Sequence, residues 1–460
     1  TDVCVYGGTS GGIAAAVQVS RMGHRVVLVE PSAHLGGLTT GGLGATDIGN
    51  KAAIGGISRE FYRRIAQHYA QDRAWTLESR ADYFAKRRGG QIQATDLEAP
   101  DATMWTFEPH VASGVFNQML AEAGVPVYLR HPLVKAGRSG RGVAEMVTEP
   151  GAVFRAKVFI DASYEGDLMA AAKVPYHVGR EPNSRYGETL NGIRAETPKH
   201  QFTVPVDPYV QPGNPGSGLL PFIQPGDGGK PGDGDRRVQA YNYRLCFTTN
   251  AANRLPLVPP PNYRASDYEL LARYLEALVA SGKMPTLDQF WHPIWMPNHK
   301  TDINNNGGFS TDFIGMNWDY PEADRGSRER IARQHENYIR GFLHFLANAP
   351  RVPPRLREQA RQWGPCKDEF VGNGGWPPQL YVREARRMIS DYVMTEHHCR
   401  YREVAPDSIG LAAYNMDSHN CQRIVRNGRV ENEGDVQVAP AKPYPISFRS
   451  IVPKASDGEN

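Results

Sequence analysis

The start of the chain alternates between apolar and small or polar blocks that fit the strands and helices of an α/β protein. Val3–Tyr6 is a short apolar run that predicts a buried parallel strand, and residues 25–29 form a second such strand that stops at Glu30. Between them, the glycine-rich residues 7–12 lead into a small-residue segment that predicts a helix ending at Gly23. The order of strand, glycine turn, helix, strand and acid is typical of a unit that binds a dinucleotide.

Each part of this unit has its own physical role. Gly7 permits the tight turn out of the strand, and Gly12 lets the helix pack close to the sheet. The unpaired N–H groups and partial positive charge at the start of the helix suit a pyrophosphate. Glu30 can accept hydrogen bonds from ribose hydroxyls, and its charge disfavours a 2′-phosphate. Thr9 stands where the motif has its middle glycine, so we expect its side chain to crowd the pyrophosphate slightly.

The rest of the pattern predicts further helices, strands and one long irregular segment. Helices are predicted at 58–71, 109–123, 168–172, 267–281, 327–347 (with Ser327 as the N-cap) and 379–398, strands at 125–129, 158–161 and 241–247, and a hairpin turn at 138–142. Residues 205–235 are rich in proline and glycine, which predicts an excursion without regular structure. A solvated loop is favoured there over a functional lid.

A second glycine cluster lies directly behind Glu30, at 36–44. Glycines at this place let the chain pass close to the pyrophosphate and the isoalloxazine of a flavin. The cluster resembles the glycine pair of FAD enzymes of the glutathione-reductase type. The string LGGLTTGGLGATDIG resembles a narrower FAD-dependent oxidoreductase family, which includes proteins labelled xanthan lyases and others likened to flavin subunits of heterodisulfide reductase. KTDINNNGGFSTDFIG, GGWPPQLYVREARRMISDYVMT and YNMDSHNCQR extend the resemblance over nearly the whole chain.

This resemblance implies an α/β fold, with a Rossmann-like FAD-binding domain of the glutathione-reductase type and an inserted α+β substrate domain. The implied boundaries are 1–175 for the FAD-binding domain, 176–445 for the substrate domain, and 446–460 for a return to the FAD domain that we expect to be truncated. The string DASYEGD at 161–167 resembles the family's turn beside the cofactor. The residues expected at FAD are Gly7, Gly8, Thr9, Ser10, Gly11, Gly12, Glu30, Pro31, Gly36, Gly37, Thr40, Asp161, Ala162, Ser163 and Asp167.

A substrate that faces the flavin needs a proton acceptor, and the candidates are His419, His299 and Tyr381. His419 lies in a polar, turn-prone string within one of the family-like motifs. An imidazole also has a suitable unperturbed pKa for a base near neutral pH. The alternative for each histidine is a hydrogen-bonded structural role. We predict His419, Arg383 and Tyr381 as the catalytic residues.

The polar character of the substrate is predicted from arginine, tryptophan and asparagine side chains. Arg383, Arg386 and Arg449 would suit an anionic group, although a salt-bridged helix face is an equal alternative. Trp291, Trp295, Trp376 and the asparagines at 304–306 would suit a sugar, with core tryptophans and an asparagine-rich turn as the favoured alternative.

Composition excludes several classes of protein. With 460 residues, 40% of them hydrophobic, the chain is long enough for two domains. A net charge of +3 without a dense basic run predicts no nucleic-acid partner, and no apolar stretch is long enough to predict a membrane span. The five cysteines form no C-x-x-C pair, so we expect buried thiols and no metal. The oligomeric state stays open, and export is suggested by the family resemblance alone.

The leading hypothesis is an FAD-dependent oxidoreductase that transfers a hydride between flavin N5 and a small polar substrate, with sugars among the options. One alternative is a flavoprotein subunit that passes electrons to a protein partner. Another is a non-redox carbohydrate-binding or lyase-like protein with a vestigial nucleotide fold. This possibility is suggested by Thr9 and by the truncation expected at the end of the chain.

Overall fold

A computed structural model describes residues 1–86, 97 and 99–458. Its α-helices are α1 Ser10–Arg21, α2 Gly37–Thr40, α3 Gly56–Tyr69, α4 Arg80–Lys86, α5 Pro109–Glu122, α6 Asp167–Ala171, α7 Glu269–Ala280, α8 Arg325–Asn348, α9 Pro354–Arg361 and α10 Glu396–Cys399. Its strands are β1 Val3–Tyr6, β2 Val26–Glu30, β3 Val127–Leu129, β4 Leu133–Ser139, β5 Gly142–Thr148, β6 Val153–Arg155, β7 Val158–Asp161, β8 Tyr176–Val178, β9 Leu245–Thr248, β10 Trp291–Met296, β11 Lys300–Asn305, β12 Gly364–Pro365, β13 Arg386–Met388, β14 Ser408–Ala412, β15 Met416–Ser418, β16 Gln422–Arg426, β17 Arg429–Glu433, β18 Val436–Val438 and β19 Tyr444–Ser447.

The first sheet is parallel and has the order β3-β2-β1-β7. All four residues of β1 are buried, because strands lie on both sides of it and helices pack against the sheet. The predicted strand–turn–helix–strand unit is therefore confirmed. Its neighbours β4, β5 and β6 form an antiparallel sheet, and the turn between β4 and β5 lies where the sequence predicts it.

A second, antiparallel sheet has the order β10-β11-β9-β12. Helices α7, α8 and α9 contribute buried apolar faces beside it, so that a second apolar core forms there, separate from the core beneath the parallel sheet. Residues 205–235 contain one short 3₁₀ turn, Pro215–Ser217, as expected for a segment rich in proline and glycine. No helix in the described part of the chain is both long and apolar enough to span a membrane.

The long helix predicted at 379–398 is wrong. Most of the segment has no regular structure, although Tyr381 donates its N–H to the Asn242 carbonyl and β13 pairs with β8. Only the short α10 begins near its end. In this segment, Arg383 and Glu384 form hydrogen bonds with residues 239–240 and with Asp312. One face of a helix would not have reached all of these partners.

Two smaller differences concern element ends. Asp324, rather than Ser327, is the N-cap of α8, and its carboxylate accepts the Ser327 N–H at 2.7 Å. The strand predicted at 241–247 is a continuous strand only over Leu245–Thr248, and Asn242 forms a single antiparallel bridge with Tyr381.

At the end of the described chain, β19 pairs with β14. The carbonyls of Ala455 and Asp457 then accept hydrogen bonds from Arg141 and Arg138 of the β4–β5 hairpin. Residues 459 and 460 of the predicted returning segment lie outside the described residues.

Candidate functional site

The glycine turn after β1 is built by very close backbone packing. A Cβ atom on Gly12 would lie 1.9 Å from the Gly7 carbonyl oxygen, and one on Gly7 would lie 2.5 Å from the Ser163 nitrogen. Gly7 also has a φ of +100°, which favours glycine. These two positions therefore hold α1 against the ends of β1 and β7.

Thr9 turns its side chain into the protein instead of towards the open end of the helix. Its hydroxyl donates to the Ala162 carbonyl at 2.8 Å and accepts the Gly12 N–H at 3.2 Å, so it acts as the N-cap of α1. A Cβ on Gly11 would meet nothing closer than 3.8 Å, and Gly11 is exposed. The first turn of α1, beginning at Ser10, therefore has an open face at Gly11, and the Thr9 hydroxyl is engaged by Ala162 and Gly12.

Glu30 ends β2 beside this turn and is 7% exposed. Its Oε2 accepts the Gly8 N–H at 2.6 Å and its Oε1 accepts the Ser32 N–H at 2.7 Å. Each carboxylate oxygen can accept a further hydrogen bond, so ribose hydroxyls remain compatible with these contacts. Pro31 follows and lines a cleft of about 620 Å³.

The second glycine cluster packs directly on the first. Gly36 donates its N–H to the Gly8 carbonyl at 2.7 Å, and a Cβ on Gly37 would lie 2.3 Å from the Tyr164 hydroxyl. That hydroxyl accepts the Leu38 N–H at 2.8 Å. The side chain of Thr40 is buried and bonds within the same loop, to His34 Nε2 at 2.8 Å.

The polar side chains of the turn at 161–167 form hydrogen bonds and ion pairs within the protein. Asp161 accepts hydrogen bonds from the Ser163 N–H and hydroxyl and from the Met169 N–H, which fixes the connection from β7 to α6. Asp167 pairs with Arg328 and Arg386, each at 2.7 Å. Burial would raise the pKa of Asp167, but the two guanidinium groups outweigh it and hold that pKa below its usual value. Ala162 lies in this turn and bonds to Thr9 as described.

The end of the second cluster, with Ala45 directly after it, rests on the second sheet. A Cβ on Gly42 would lie 2.0 Å from the Arg244 carbonyl oxygen. Arg244 forms a bidentate pair with Asp302, with both N–O distances 2.7 Å, and Asp302 also accepts the Ala45 N–H at 3.2 Å. Because Arg244 and Asp302 are both almost fully buried, this pair fixes the loop against β9 and β11.

His419 forms a buried pair with Asp312. Its Nδ1 lies 2.6 Å from Asp312 Oδ2, and because a carboxylate can only accept, Nδ1 carries the proton and Nε2 keeps a lone pair. Burial and the positive charge of Arg383 outweigh the attraction of Asp312 and hold the pKa of His419 below its usual value. The imidazole is therefore neutral at pH 7 and able to accept a proton.

Arg383 and Tyr381 lie beside this pair. The Arg383 guanidinium stacks on the Tyr381 ring at 3.9 Å and donates to the Ala240 carbonyl, to Asn304 Oδ1 and to Asp312 Oδ1. Tyr381 in turn lies 5.8 Å from the Arg244 guanidinium carbon. The structure thus brings together all three predicted catalytic residues and connects them through Arg244 to the glycine loop.

The other sequence candidates lie elsewhere. His299 contacts Glu78, and Arg386 and Arg449 are engaged by carboxylates, Arg449 by Asp407. Trp291 and Trp376 are core residues, each 1% exposed, in agreement with the alternative favoured above.

Sequence reasoning missed Asp312, Arg244 and Asp302. Asp302 and Asp312 lie inside the family-like string KTDINNNGGFSTDFIG, which was the available signal. Their partners are far away along the chain, since Asp312 and His419 are 107 residues apart.

Comparison with known proteins gives one match over the whole chain. A family model described as FAD dependent oxidoreductase matches residues 2–460. No curated protein sequence is significantly similar to the chain.

The structure is similar to several solved structures. The myxobacterial chondrochloren halogenase CndH, an FAD-dependent halogenase, is 15% identical with a TM-score of 0.39, over 85% of this chain and 66% of its own. L-proline dehydrogenase from P. horikoshii is 14% identical with a TM-score of 0.27, over 40% of this chain and 58% of its own. L-amino acid deaminase from Proteus vulgaris is 17% identical with a TM-score of 0.26, over 42% and 57%. The matched regions thus span less than two thirds of each of these proteins.

Proposed function

Because the chain belongs to the family of FAD dependent oxidoreductases, we propose that it oxidises a small polar substrate bearing a hydroxyl group, with His419 as the proton acceptor. Its fold is a Rossmann-like FAD-binding domain with an inserted α+β domain, and its cofactor is FAD. When bound, FAD supplies N5 as the acceptor of a hydride from the substrate carbon. Sugars belong to this substrate class.

The residues proposed to hold FAD lie at the open positions of the glycine turn, at the end of β2 and in the loop at 36–44. Ser10 and Gly11 lie in the first turn of α1, whose N–H groups have no partner within the helix, and a Cβ on Gly11 would meet no protein atom closer than 3.8 Å, which suits the pyrophosphate. Glu30 would accept the ribose hydroxyls. The loop at 36–44 would let the chain pass close to the flavin, since side chains are absent at its glycines.

The observation that carries the proposal is the Asp312–His419 pair. Asp312 is 1% exposed and fixes the ring orientation and the tautomer of His419. Burial alone would raise the pKa of Asp312, but His419 and Arg383 lower it below its usual value, so the carboxylate stays charged. A fixed, neutral imidazole can take the proton of a substrate hydroxyl at Nε2 while a carbonyl forms. Arg383 would position the pair, and Tyr381 would form the wall between it and the glycine loop.

The test is anaerobic reduction of the FAD-loaded protein by a panel of polyols and sugars. The loss of visible flavin absorbance is the readout. We expect at least one alcohol to reduce the flavin. His419→Gln should slow that reduction by about 10²–10⁴-fold, the usual contribution of a general base, with the Kd for FAD unchanged. Reduction of His419→Gln at the wild-type rate, or no reduction by any alcohol, would refute the proposal.

A further inference from the structure

The charges around the Asp312–His419 pair do not favour an anionic ligand. Arg383 has a side chain only 6% exposed, and it donates to Ala240, Asn304 and Asp312. Its positive charge is therefore compensated within the protein. Two further carboxylates, Asp417 and Asp435, lie near the pair; burial raises the pKa of Asp417, and the charge of Arg383 opposes this only in part.

Asp435 is a buried carboxylate with only long contacts. Its side chain is 2% exposed, and its nearest cationic or donor groups are Gln437 Nε2 at 3.5 Å and His200 Nε2 at 3.8 Å. Burial, and then the charge of Asp417, raise the pKa of Asp435 to about 7. Lys199 acts on both carboxylates only from a distance, because its ammonium donates to Gln437 Oε1. A cation bound between the two acids would relieve their repulsion.

Two buried amide oxygens nearby also lack donors. Arg383 donates to Asn304 Oδ1, so that atom is an oxygen, and Asn242 must therefore direct its Nδ2 at it. This leaves Asn242 Oδ1 without a partner in a residue that is 0% exposed. Asn420, next to His419 and bonded to the His200 carbonyl, is 2% exposed and also has an unpartnered Oδ1. Both oxygens require a donor, and a ligand could supply it.

The acids around His419 do not converge as metal ligands would. Among the described residues, only Glu108, His110 and Glu369 bring three possible ligand atoms within 4.8 Å of one another. The ammonium of Lys300 already contacts both of those glutamates, at 2.8 and 2.7 Å. Asp417 and Asp435 belong to no such group, so an organic cation rich in hydrogen-bond donors suits the two acids and the two amides better than a metal ion does.

We infer that the substrate of this site carries an ammonium group together with its hydroxyls, as an amino alcohol or amino sugar does. The ammonium lies against Asp417 and Asp435, and the hydroxyls donate to Asn242 and Asn420. The inference rests on the proposed function, since it places the ligand at the same His419 site.

The test uses probes that differ only in one terminal group. Glucamine, glucitol and gluconate form one set, and 3-amino-1,2-propanediol, glycerol and glycerate form a shorter one. Binding to the FAD-loaded protein is measured by calorimetry at pH 7. In at least one set, we expect the ammonium member to bind about tenfold more tightly than the alcohol, as for a partly buried ion pair, and the carboxylate to bind most weakly.

Variants locate the effect. Asp417→Asn, at an exposed position, and Asp435→Asn should each reduce the preference for the ammonium probe. Asp72→Asn, which removes an exposed carboxylate from the FAD domain, should leave it unchanged. Tighter binding of gluconate or glycerate, equal binding of amine and alcohol, no binding of any probe, or a preference that survives in both variants would each overturn the inference.

Binding and turnover separate this inference from the proposed function. An ammonium preference without flavin reduction by any alcohol or amino alcohol would leave the inference standing and refute the function. Flavin reduction by neutral alcohols, without any ammonium preference in binding, would support the proposed function and overturn the inference.

Discussion

Substitution of Gly12 by alanine tests whether the contact between α1 and the β1 turn controls both folding and FAD binding. The added Cβ would lie 1.9 Å from the Gly7 carbonyl oxygen, whereas real Cβ atoms essentially never approach closer than 3.0 Å. The start of α1 must therefore move by about 1 Å. That carbonyl is backbone, and Gly7 is itself packed against Ser163, so the turn has little room to yield.

The expected cost follows from two opposing effects. Replacing glycine by alanine in a helix usually stabilises a protein by about 0.5–1 kcal/mol. Overpacking a tight contact costs about 1–3 kcal/mol, and occasionally more. We therefore expect Gly12→Ala to lower the free energy of unfolding of the FAD-free protein, and to weaken FAD binding strongly, because the same movement displaces the N–H groups of Ser10 and Gly11.

The matched control is Gly114→Ala in α5. Gly114 is exposed, and a Cβ there would meet no atom within 4 Å. The control should gain stability and bind FAD normally. Urea unfolding of both FAD-free variants and FAD titrations measure the two effects. If Gly12→Ala were as stable as Gly114→Ala and bound FAD equally well, the role assigned to this contact would be refuted.

Three further substitutions test other parts of the structure. Arg244→Met should cost about 3–5 kcal/mol because it leaves the buried Asp302 without its cationic partner, and adding Asp302→Leu should recover only part of that loss in urea unfolding, since the Ala45 N–H then loses its acceptor. Burial lowers the pKa of His335 from 6.5 to about 4, so the wild type should lose about 3 kcal/mol as pH falls through that window, and His335→Phe should remove that part of the pH dependence of unfolding. Asp167→Asn should lower the free energy of unfolding by about 1–3 kcal/mol through its two arginine partners, without changing the Kd for FAD.

The first part of the fold was predictable because its signals are local. The strand, glycine turn, helix and second strand follow one another within about thirty residues, and the structure differs from the prediction mainly in the role of Thr9. A threonine at the middle glycine position suggests crowding only if its side chain points to the ligand. Whether it does depends on the Ala162 carbonyl, which lies 153 residues away in sequence.

The segment at 379–398 was not predictable for the opposite reason. Its apolar spacing fits a helical stripe, but its conformation is set by partners from distant elements, namely the Asn242 carbonyl for Tyr381 and β8 for β13. The same limit applies to the candidate site. His419 could be selected by its residue type and its motif, whereas its pairing with Asp312 and the inward orientation of Arg383 depend on tertiary packing.

Asp167 shows how a motif position can have two explanations that one experiment separates. Its place in the DASYEGD string implies a role at the cofactor, whereas its ion pairs with Arg328 and Arg386 indicate a role in joining α6 to α8 and β13. If the ion pairs are its function, Asp167→Asn destabilises the FAD-free and FAD-bound proteins equally. Gly11→Ala, whose added Cβ would lie on the open face of α1 and meet no protein atom closer than 3.8 Å, should show the converse pattern of weaker FAD binding without a loss of stability of the FAD-free protein. Weaker FAD binding by Asp167→Asn, with the stability of the FAD-free protein intact, would contradict the ion-pair explanation and assign this carboxylate to the cofactor.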